Sequence, residues 1–274
     1  MNSSLLDLDA SGLARDGYGV ARGLLDQSEV DSLRSAFMDL NRNGPIEGLS
    51  EIRGARGAYS QDDPLAFYPR MMMPHLHDEL AVGPLALQYM IDPRFRPYLS
   101  ALLDGEPVGV QTMFYFKPPG ARGQELHQDN FYLRVKPGTC AAAWIALDDA
   151  DEENGGMMVV PGTVNYQIVC PESADAATSF TTDFVRPPEG TEAVAVDLKA
   201  GDVLFFNGSI IHGSTPNRSR DRFRRALICH YIPEGHVVGR FYADRPRRFD
   251  GSIVEVEVSP DGGPCGTAQP DARH

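Results

Sequence analysis

Hydrophobic positions follow two different rhythms along this chain, helical in the first third and strand-like after it. Val30, Leu33, Phe37 and Leu40 recur at helical spacing behind Asp26-Gln-Ser-Glu29, which has the shape of a capping box. That combination predicts an amphipathic helix over residues 27–41. Tyr18–Ala21, set among glycines, reads as a short strand within a helix–strand–helix lead-in. Residues 77–104 read as helical, broken at Pro84 and Pro93. Between them, residues 42–75 show no clear period, are rich in Gly and Arg, and end in Arg70-Met-Met-Met-Pro74. An unpatterned stretch of that length is expected to be functional or mobile, and a substrate lid is the role it suits.

After Gly105 the pattern changes. Apolar runs at Val108–Phe116, Phe131–Val135, Ala141–Leu147, Met157–Val160, Ala193–Asp197, Asp202–Phe206, Arg225–Tyr231 and Ile253–Val258 are separated by Gly/Pro/Asn punctuation. Short strands at this spacing predict an all-β sandwich, jelly roll or barrel. No β-α-β alternation is present, which argues against a doubly wound parallel sheet. There is no internal repeat, P-loop or dinucleotide fingerprint.

Composition bounds the picture. The 274 residues are 42 % hydrophobic and 23 % charged, ordinary for a globular protein. The expected organisation is one domain: a helical cover and loop over 1–104, a β core over 105–258 and a flexible tail over 259–274. The net charge of −13 argues against nucleic-acid and anionic-lipid partners. The longest apolar run, Cys140–Leu147, falls far short of the ~20 residues that span a bilayer. The acidic N-terminus lacks the basic and apolar regions of a signal peptide. Four widely spaced cysteines without C-x-x-C favour reduced thiols and a cytoplasmic location.

The chemistry concentrates in Leu126-His-Gln-Asp-Asn-Phe-Tyr-Leu133. On a strand, His127 and Asp129 would project from one face and converge on one point. His212, in Ile210-Ile-His-Gly-Ser214, adds a second imidazole beside small residues. Two histidines and one carboxylate on a rigid sheet form a facial triad, the ligand set of non-haem Fe(II) oxygenases. Arg224 opens an apolar strand, where it can pair bidentately with a carboxylate near the metal. By strand alternation, one of Arg224 and Arg225 points inward and the other outward. Residues 218–225 carry five arginines and one aspartate, a basic island in an acidic chain. His75 and His77 could mimic a second metal site, but Pro74 and Asp78-Glu79 read better as a helix start. His230, on an apolar strand, reads as a satisfied core residue.

Taken in order, the motifs resemble the phytanoyl-CoA dioxygenase family: His-Gln-Asp at 127–129, Trp144, Asn154-Gly-Gly-Met-Met-Val-Val-Pro-Gly162, Gly201-Asp-Val, His212-Gly-Ser, and Phe223-Arg-Arg-Ala-Leu-Ile-Cys-His-Tyr231. They cover roughly residues 108–232, and Asp16–Leu25 is similar to the family's opening strand. The resemblance implies a double-stranded β-helix (jelly roll/cupin-like) core, mainly β, with N-terminal covering helices. It implies Fe(II), 2-oxoglutarate as cosubstrate, and O2. His127, Asp129 and His212 match the iron ligands, and Arg224 matches the arginine that grips the distal carboxylate of 2-oxoglutarate. Ser214 would assist that carboxylate, while Trp144 and Met113 match positions lining the cosubstrate pocket. Gln111 and Tyr115 share strand parity with Met113 and are candidates for substrate contact. One departure is Val164, where the family often has histidine. The intact Asp129 favours hydroxylation or another oxidation, because halogenating relatives have a small residue there.

The resulting expectation is an oxygenase acting on a C–H bond of a small molecule, by hydroxylation or oxidative ring closure. The substrate expected is a natural-product or antibiotic intermediate, such as an amino-sugar or aminocyclitol compound. The alternatives are an acyl-CoA or amino-acid hydroxylase of the same family, or a cupin-like metalloenzyme that does not use 2-oxoglutarate.

Overall fold

A computed structural model of the chain describes residues 10–54 and 57–260. The readings of the acidic N-terminus and of the Gly/Pro-rich tail beyond Pro260 therefore lie outside the described residues. Strand outweighs helix, 27 % against 21 %, as the punctuated apolar runs predict.

The lead-in is α1 (Ala10–Asp16), β1 (Tyr18–Ala21) and α2 (Gln27–Asn41). α2 begins where the capping box places it: Asp26 accepts from the Glu29 amide, and the Glu29 side chain accepts from the Asp26 amide, both at 2.9 Å. Its buried face is Val30, Leu33 and Phe37. The stretch read as unpatterned holds β2 (Arg53–Gly54), β3 (Gly57–Ala58), α3 (Pro64–Phe67) and β4 (Met71–Met72). β4 pairs with the main sheet through Met71–Phe114 and Met72–Met113, so the end of the expected lid is built into the core. A 3₁₀ turn covers Pro74–Leu76, but residues 77–81 are not helical, so the stretch read as helical from 77 begins only at Val82. α4 (Val82–Met90) and α5 (Arg96–Leu103) follow. They separate around Pro93 as expected. Pro84 does not break the chain: it sits in the first turn of α4, where its missing N–H would have no partner anyway.

The remaining elements are β5 (Pro107–Tyr115), β6 (Gln124–His127), α6 (Asp129–Leu133), β7 (Ala141–Ala146), β8 (Met157–Val159), β9 (Glu172–Ser173), β10 (Asp183–Phe184), β11 (Val194–Val196), β12 (Val203–Asn207), β13 (His212–Ser214) and β14 (Ala226–Pro233). A six-stranded antiparallel sheet runs β1-β12-β7-β14-β5-β4, and a four-stranded one runs β11-β8-β13-β6. Two expected strands are corrected. Phe131–Val135 is largely the end of α6, and Ile253–Val258 makes only isolated bridges while leaving Ile253 and Val258 exposed.

The large sheet is buried on both faces, which explains its near-continuous apolar strands. Along β7, Ala141, Ala143 and Ile145 meet the helices, and Ala142, Trp144 and Ala146 face the second sheet. The helical side is anchored by Phe37 stacked on Phe114, ring centroids 3.9 Å apart at 9°. Such a pair adds roughly 0.5–1.5 kcal/mol beyond area burial. Gly201 joins the lead-in to the sheet. Its φ is +94°, and a Cβ there would lie 2.4 Å from the Leu25 carbonyl. The Leu25 amide returns a hydrogen bond to the Gly201 oxygen at 3.0 Å.

Cys140 and Cys229 are buried free thiols. Cys170 is disulfide-bonded, which corrects the expectation of reduced thiols throughout; disulfide connectivity does not follow from spacing. Among the described residues, no helix is long and apolar enough to cross a membrane.

Candidate functional site

The small sheet and α6 bring His127, Asp129 and His212 together. His127 ends β6 and His212 opens β13, and the two are direct partners across that ladder. Asp129 is not on the strand, as the H-x-D pattern suggested, but is the first residue of α6. Convergence survives because Gln128, still extended, turns its side chain the other way. Its amide donates to the carbonyls of Gln167 and Ser209 and accepts from the Val169 amide. His127 and Asp129 are left facing inward.

All three residues are buried, and one ligand atom from each lies within 4.8 Å of the others. Asp129 Oδ1 is 3.6 Å from His127 Nε2 and 3.4 Å from His212 Nε2. The histidine tautomers are fixed from behind. His127 Nδ1 donates to the Glu125 carbonyl at 2.8 Å, and His212 Nδ1 to the Ile210 carbonyl at 3.0 Å. Carbonyls only accept, so each Nδ1 carries the proton and each Nε2 offers a lone pair. Burial opposes a charge on His212, but the facing Asp129 carboxylate outweighs it and raises the pKa above the usual range. This donor set fits a divalent transition metal with open positions.

Two neighbours were not identified from the sequence. The Gln124 amide lies 3.1 Å from His127 Nε2, and His230 Nε2 donates to Asp129 Oδ2 at 3.1 Å. His230 is buried, as expected of a core residue, but its partner is a triad member.

A cavity opens from the triad toward Arg224. Met113, Tyr115, Trp144 and Ser214 line it, together with Met157 and Ile228. Gln111 shares the strand parity of Met113 and Tyr115 but is fully buried and does not reach the cavity wall. Arg224 is buried, its guanidinium carbon 5.2 Å from the Trp144 ring centre, and Nε donates to the Gly155 carbonyl at 2.9 Å. Burial pulls its pKa down to about 10. Arg225 turns outward to Asp148 at 2.7 Å, which is the alternation the sequence predicts. Arg222 likewise pairs with Asp151 and Glu153. Much of the basic island is thus neutralised, while Arg224 has no carboxylate partner among the described residues.

Three further charged groups complete the surroundings. Lys117, which the sequence reading passed over within its motif, is buried and donates from Nζ to Ser214 Oγ at 2.8 Å. Arg70, from the segment read as a lid, is also buried; it donates to the Tyr115 hydroxyl at 2.9 Å and pairs with Glu51 at 2.5 Å. The second histidine cluster does not form a metal site. His75 meets Thr112, His77 meets Glu79, and the triad is the one candidate cluster among the described residues.

Comparison with known proteins agrees with this arrangement. The phytanoyl-CoA dioxygenase (PhyH) family model matches residues 13–226. Phytanoyl-CoA dioxygenase of Arabidopsis thaliana is 31 % identical over 153 residues, 55 % of this chain and 53 % of that protein. The chain thus spans about half the length of the plant relatives it matches. Phytanoyl-CoA dioxygenase domain-containing protein 1 of Danio rerio is 25 % identical over 85 % of this chain and 92 % of its own. Among solved structures, the non-haem α-ketoglutarate-dependent epimerase SnoN from nogalamycin biosynthesis superposes with a TM-score of 0.64. The identity is 21 %, covering 95 % of this chain and 94 % of that one, a likeness of fold. SnoN is also known in complex with Fe3+, α-ketoglutarate and nogalamycin RO. Because the family model runs from α1 into β14 and takes in the three converging side chains and Arg224, the chain belongs to the phytanoyl-CoA dioxygenase family.

Proposed function

We propose that this chain is an Fe(II)- and 2-oxoglutarate-dependent oxygenase that oxidises a C–H bond of a small molecule. One observation carries the reading. A metal-competent His127–Asp129–His212 cluster and a buried arginine without a carboxylate partner face the same cavity. His127, Asp129 and His212 would hold the iron. Arg224 and Ser214 would hold the distal carboxylate of 2-oxoglutarate, with Trp144 and Met113 as walls. When bound, iron and 2-oxoglutarate together supply O2 activation, with the cosubstrate decarboxylated to succinate.

The chain's own residues do the rest. The carbonyls of Glu125 and Ile210 keep both Nε2 atoms unprotonated toward the metal. Arg224 and Ser214 fix the far end of the cosubstrate, so its keto-acid end meets the triad in one orientation. Met113, Trp144, Met157 and Ile228 keep the cavity largely apolar and exclude water. Asp129 occupies the third ligand position, which favours oxygenation over halide transfer.

For the substrate we propose a neutral or cationic natural-product intermediate, an amino-sugar or aminocyclitol compound among them. The net charge of −13 supports this and disfavours an acyl-CoA, whose phosphates need a basic approach. SnoN, similar in fold, comes from nogalamycin biosynthesis. Anaerobic addition of Fe(II) and 2-oxoglutarate should give a weak visible charge-transfer band, absent in His212→Ala. Arg224→Ala should lose 2-oxoglutarate turnover. Unchanged turnover in that variant would favour a metalloenzyme of the same shape that does not use 2-oxoglutarate.

A further inference from the structure

Three cavities lie in a row from the triad to the surface. The triad cavity and a middle cavity share one wall, made by Tyr115 and Arg224. The middle cavity and an outer cleft share another, made by Tyr59, Arg122 and Phe180. The outer cleft meets solvent at Ser60 and Ala176, both exposed. A different surface cleft also touches Gln124 and Ser214 of the triad cavity, but there the hydrogen-bonded β6–β13 ladder stands between. The row through Tyr115 is closed by side chains, whereas the other approach is closed by backbone.

Fixed cations and aromatic rings line this row. Arg70, Arg122 and Arg224 all face the middle cavity. Arg70 is shared with Glu51 and Arg122 with Asp63, each at 2.5 Å, while Arg224 forms no ion pair among the described residues. The Arg70 guanidinium carbon lies 5.7 Å from the Tyr115 ring centre and 5.5 Å from that of Phe180, so it braces both walls. The chain around this lane carries a net charge of −13. Such a body repels a dianion, and a cationic cleft through it raises the local concentration of one. The order of groups fits as well. A dicarboxylate arriving keto-acid first brings that end to the triad and leaves its trailing carboxylate at Arg224, with no reversal.

We infer that the middle cavity is an antechamber for dicarboxylates, through which 2-oxoglutarate enters and succinate leaves without crossing the space of the substrate. Displacement of the Tyr115 ring joins it to the triad cavity, and the Phe180 ring sets its width on the solvent side. The inference rests on the assignment of Arg224 to 2-oxoglutarate.

The test is kinetic. The Fe(II)-loaded full chain is mixed anaerobically with 2-oxoglutarate in a stopped-flow instrument, and growth of the charge-transfer band is followed over a range of concentrations. The slope of the observed rate gives the association rate constant and the intercept the dissociation rate constant. Phe180→Trp narrows the passage and should lower both constants by about fivefold or more, with Kd kept within about twofold. A Kd that rises while association is unchanged would assign Phe180 a structural role and overturn the inference. Charge at the entrance gives a second reading that leaves the interior intact. Ser60→Glu should slow association by about twofold or more at low salt and Ser60→Lys should speed it, the difference fading as salt is raised. Ser252→Glu is the control: Ser252 is exposed beside the Gly109 end of β5, while the cavities lie at the Tyr115 end. Equal slowing by Ser60→Glu and Ser252→Glu would reduce the effect to net charge and overturn the route. Association unchanged in Phe180→Trp and both Ser60 variants would overturn it too and place 2-oxoglutarate entry elsewhere. If the wild type forms no band at all, the assignment of the cavity to 2-oxoglutarate fails; if the band forms alike in every variant, the antechamber alone is wrong.

Discussion

His230 Nε2 donates to Asp129 Oδ2 at 3.1 Å, while Oδ1 of the same carboxylate faces His127 and His212 at 3.6 and 3.4 Å. One oxygen is tethered so that the other is aimed. Partners of this kind typically contribute 10–100-fold in metal affinity, so His230→Ala should weaken Mn(II) or Co(II) binding by about that factor. His230→Gln, whose amide can still donate, should recover part of it. Calorimetric titration of the metal reads both variants, and an unchanged affinity in His230→Ala would show that Asp129 is aimed by other contacts.

Arg70 and Glu51 form a bidentate pair whose members differ in access to water. The Arg70 side chain is 8 % exposed and Glu51 19 %. Removing Glu51 strands a buried guanidinium, whereas removing Arg70 leaves a carboxylate nearer to solvent. Glu51→Ala should therefore cost about 3–5 kcal/mol in urea unfolding, and Arg70→Met distinctly less. Equal losses would mean that the Tyr115 hydroxyl bond, not the ion pair, dominates at Arg70.

Gly155 and Gly162 both adopt left-handed backbone, at φ +87° and +82°, but only a Cβ at Gly155 meets neighbours: Lys117 Cε at 2.5 Å and the Thr215 carbonyl oxygen at 2.9 Å. Alanine at Gly162 should cost roughly 1 kcal/mol of backbone strain, and alanine at Gly155 more, because the Thr215 carbonyl cannot give way as a flexible side chain does. Only Gly155→Ala should also weaken 2-oxoglutarate binding, because the Gly155 carbonyl holds Arg224 Nε at 2.9 Å. Binding and unfolding measured on both variants separate the two effects, and a matching loss of affinity in Gly162→Ala would refute the explanation.

What the sequence made legible follows from how local each signal is. The period of Val30, Leu33 and Phe37 and the alternation along β7 are local, and both elements stand where they were expected. β6 and β13 escaped because they are three or four residues long and carry polar ligands in place of an apolar run. Phe131–Val135 misled because α6 is buried throughout, so its residues carry no helical stripe. The site divides in the same way. His127, Asp129, His212 and Arg224 sit in short motifs, whereas Lys117–Ser214, Asp129–His230 and Arg70–Tyr115 are pairings 45 to 101 residues apart, which no spacing announces.

His75 gives the acid limb of stability a specific origin. It is buried against Thr112, and burial, followed by the charges of Arg247 and Arg245, depresses its pKa to about 3. In the unfolded chain the ring titrates near 6.5. The folded state therefore keeps His75 neutral, while the unfolded state takes up a proton as pH falls below about 6.5. Stability from this site is fully present above that pH and is lost as pH falls toward 3, at up to about 1.4 kcal/mol per pH unit. His75→Phe removes the titration. Urea unfolding at pH 7, 6 and 5 should show the wild type losing more stability than the variant across this window, whatever their absolute stabilities. Parallel pH profiles would place the proton uptake at another group.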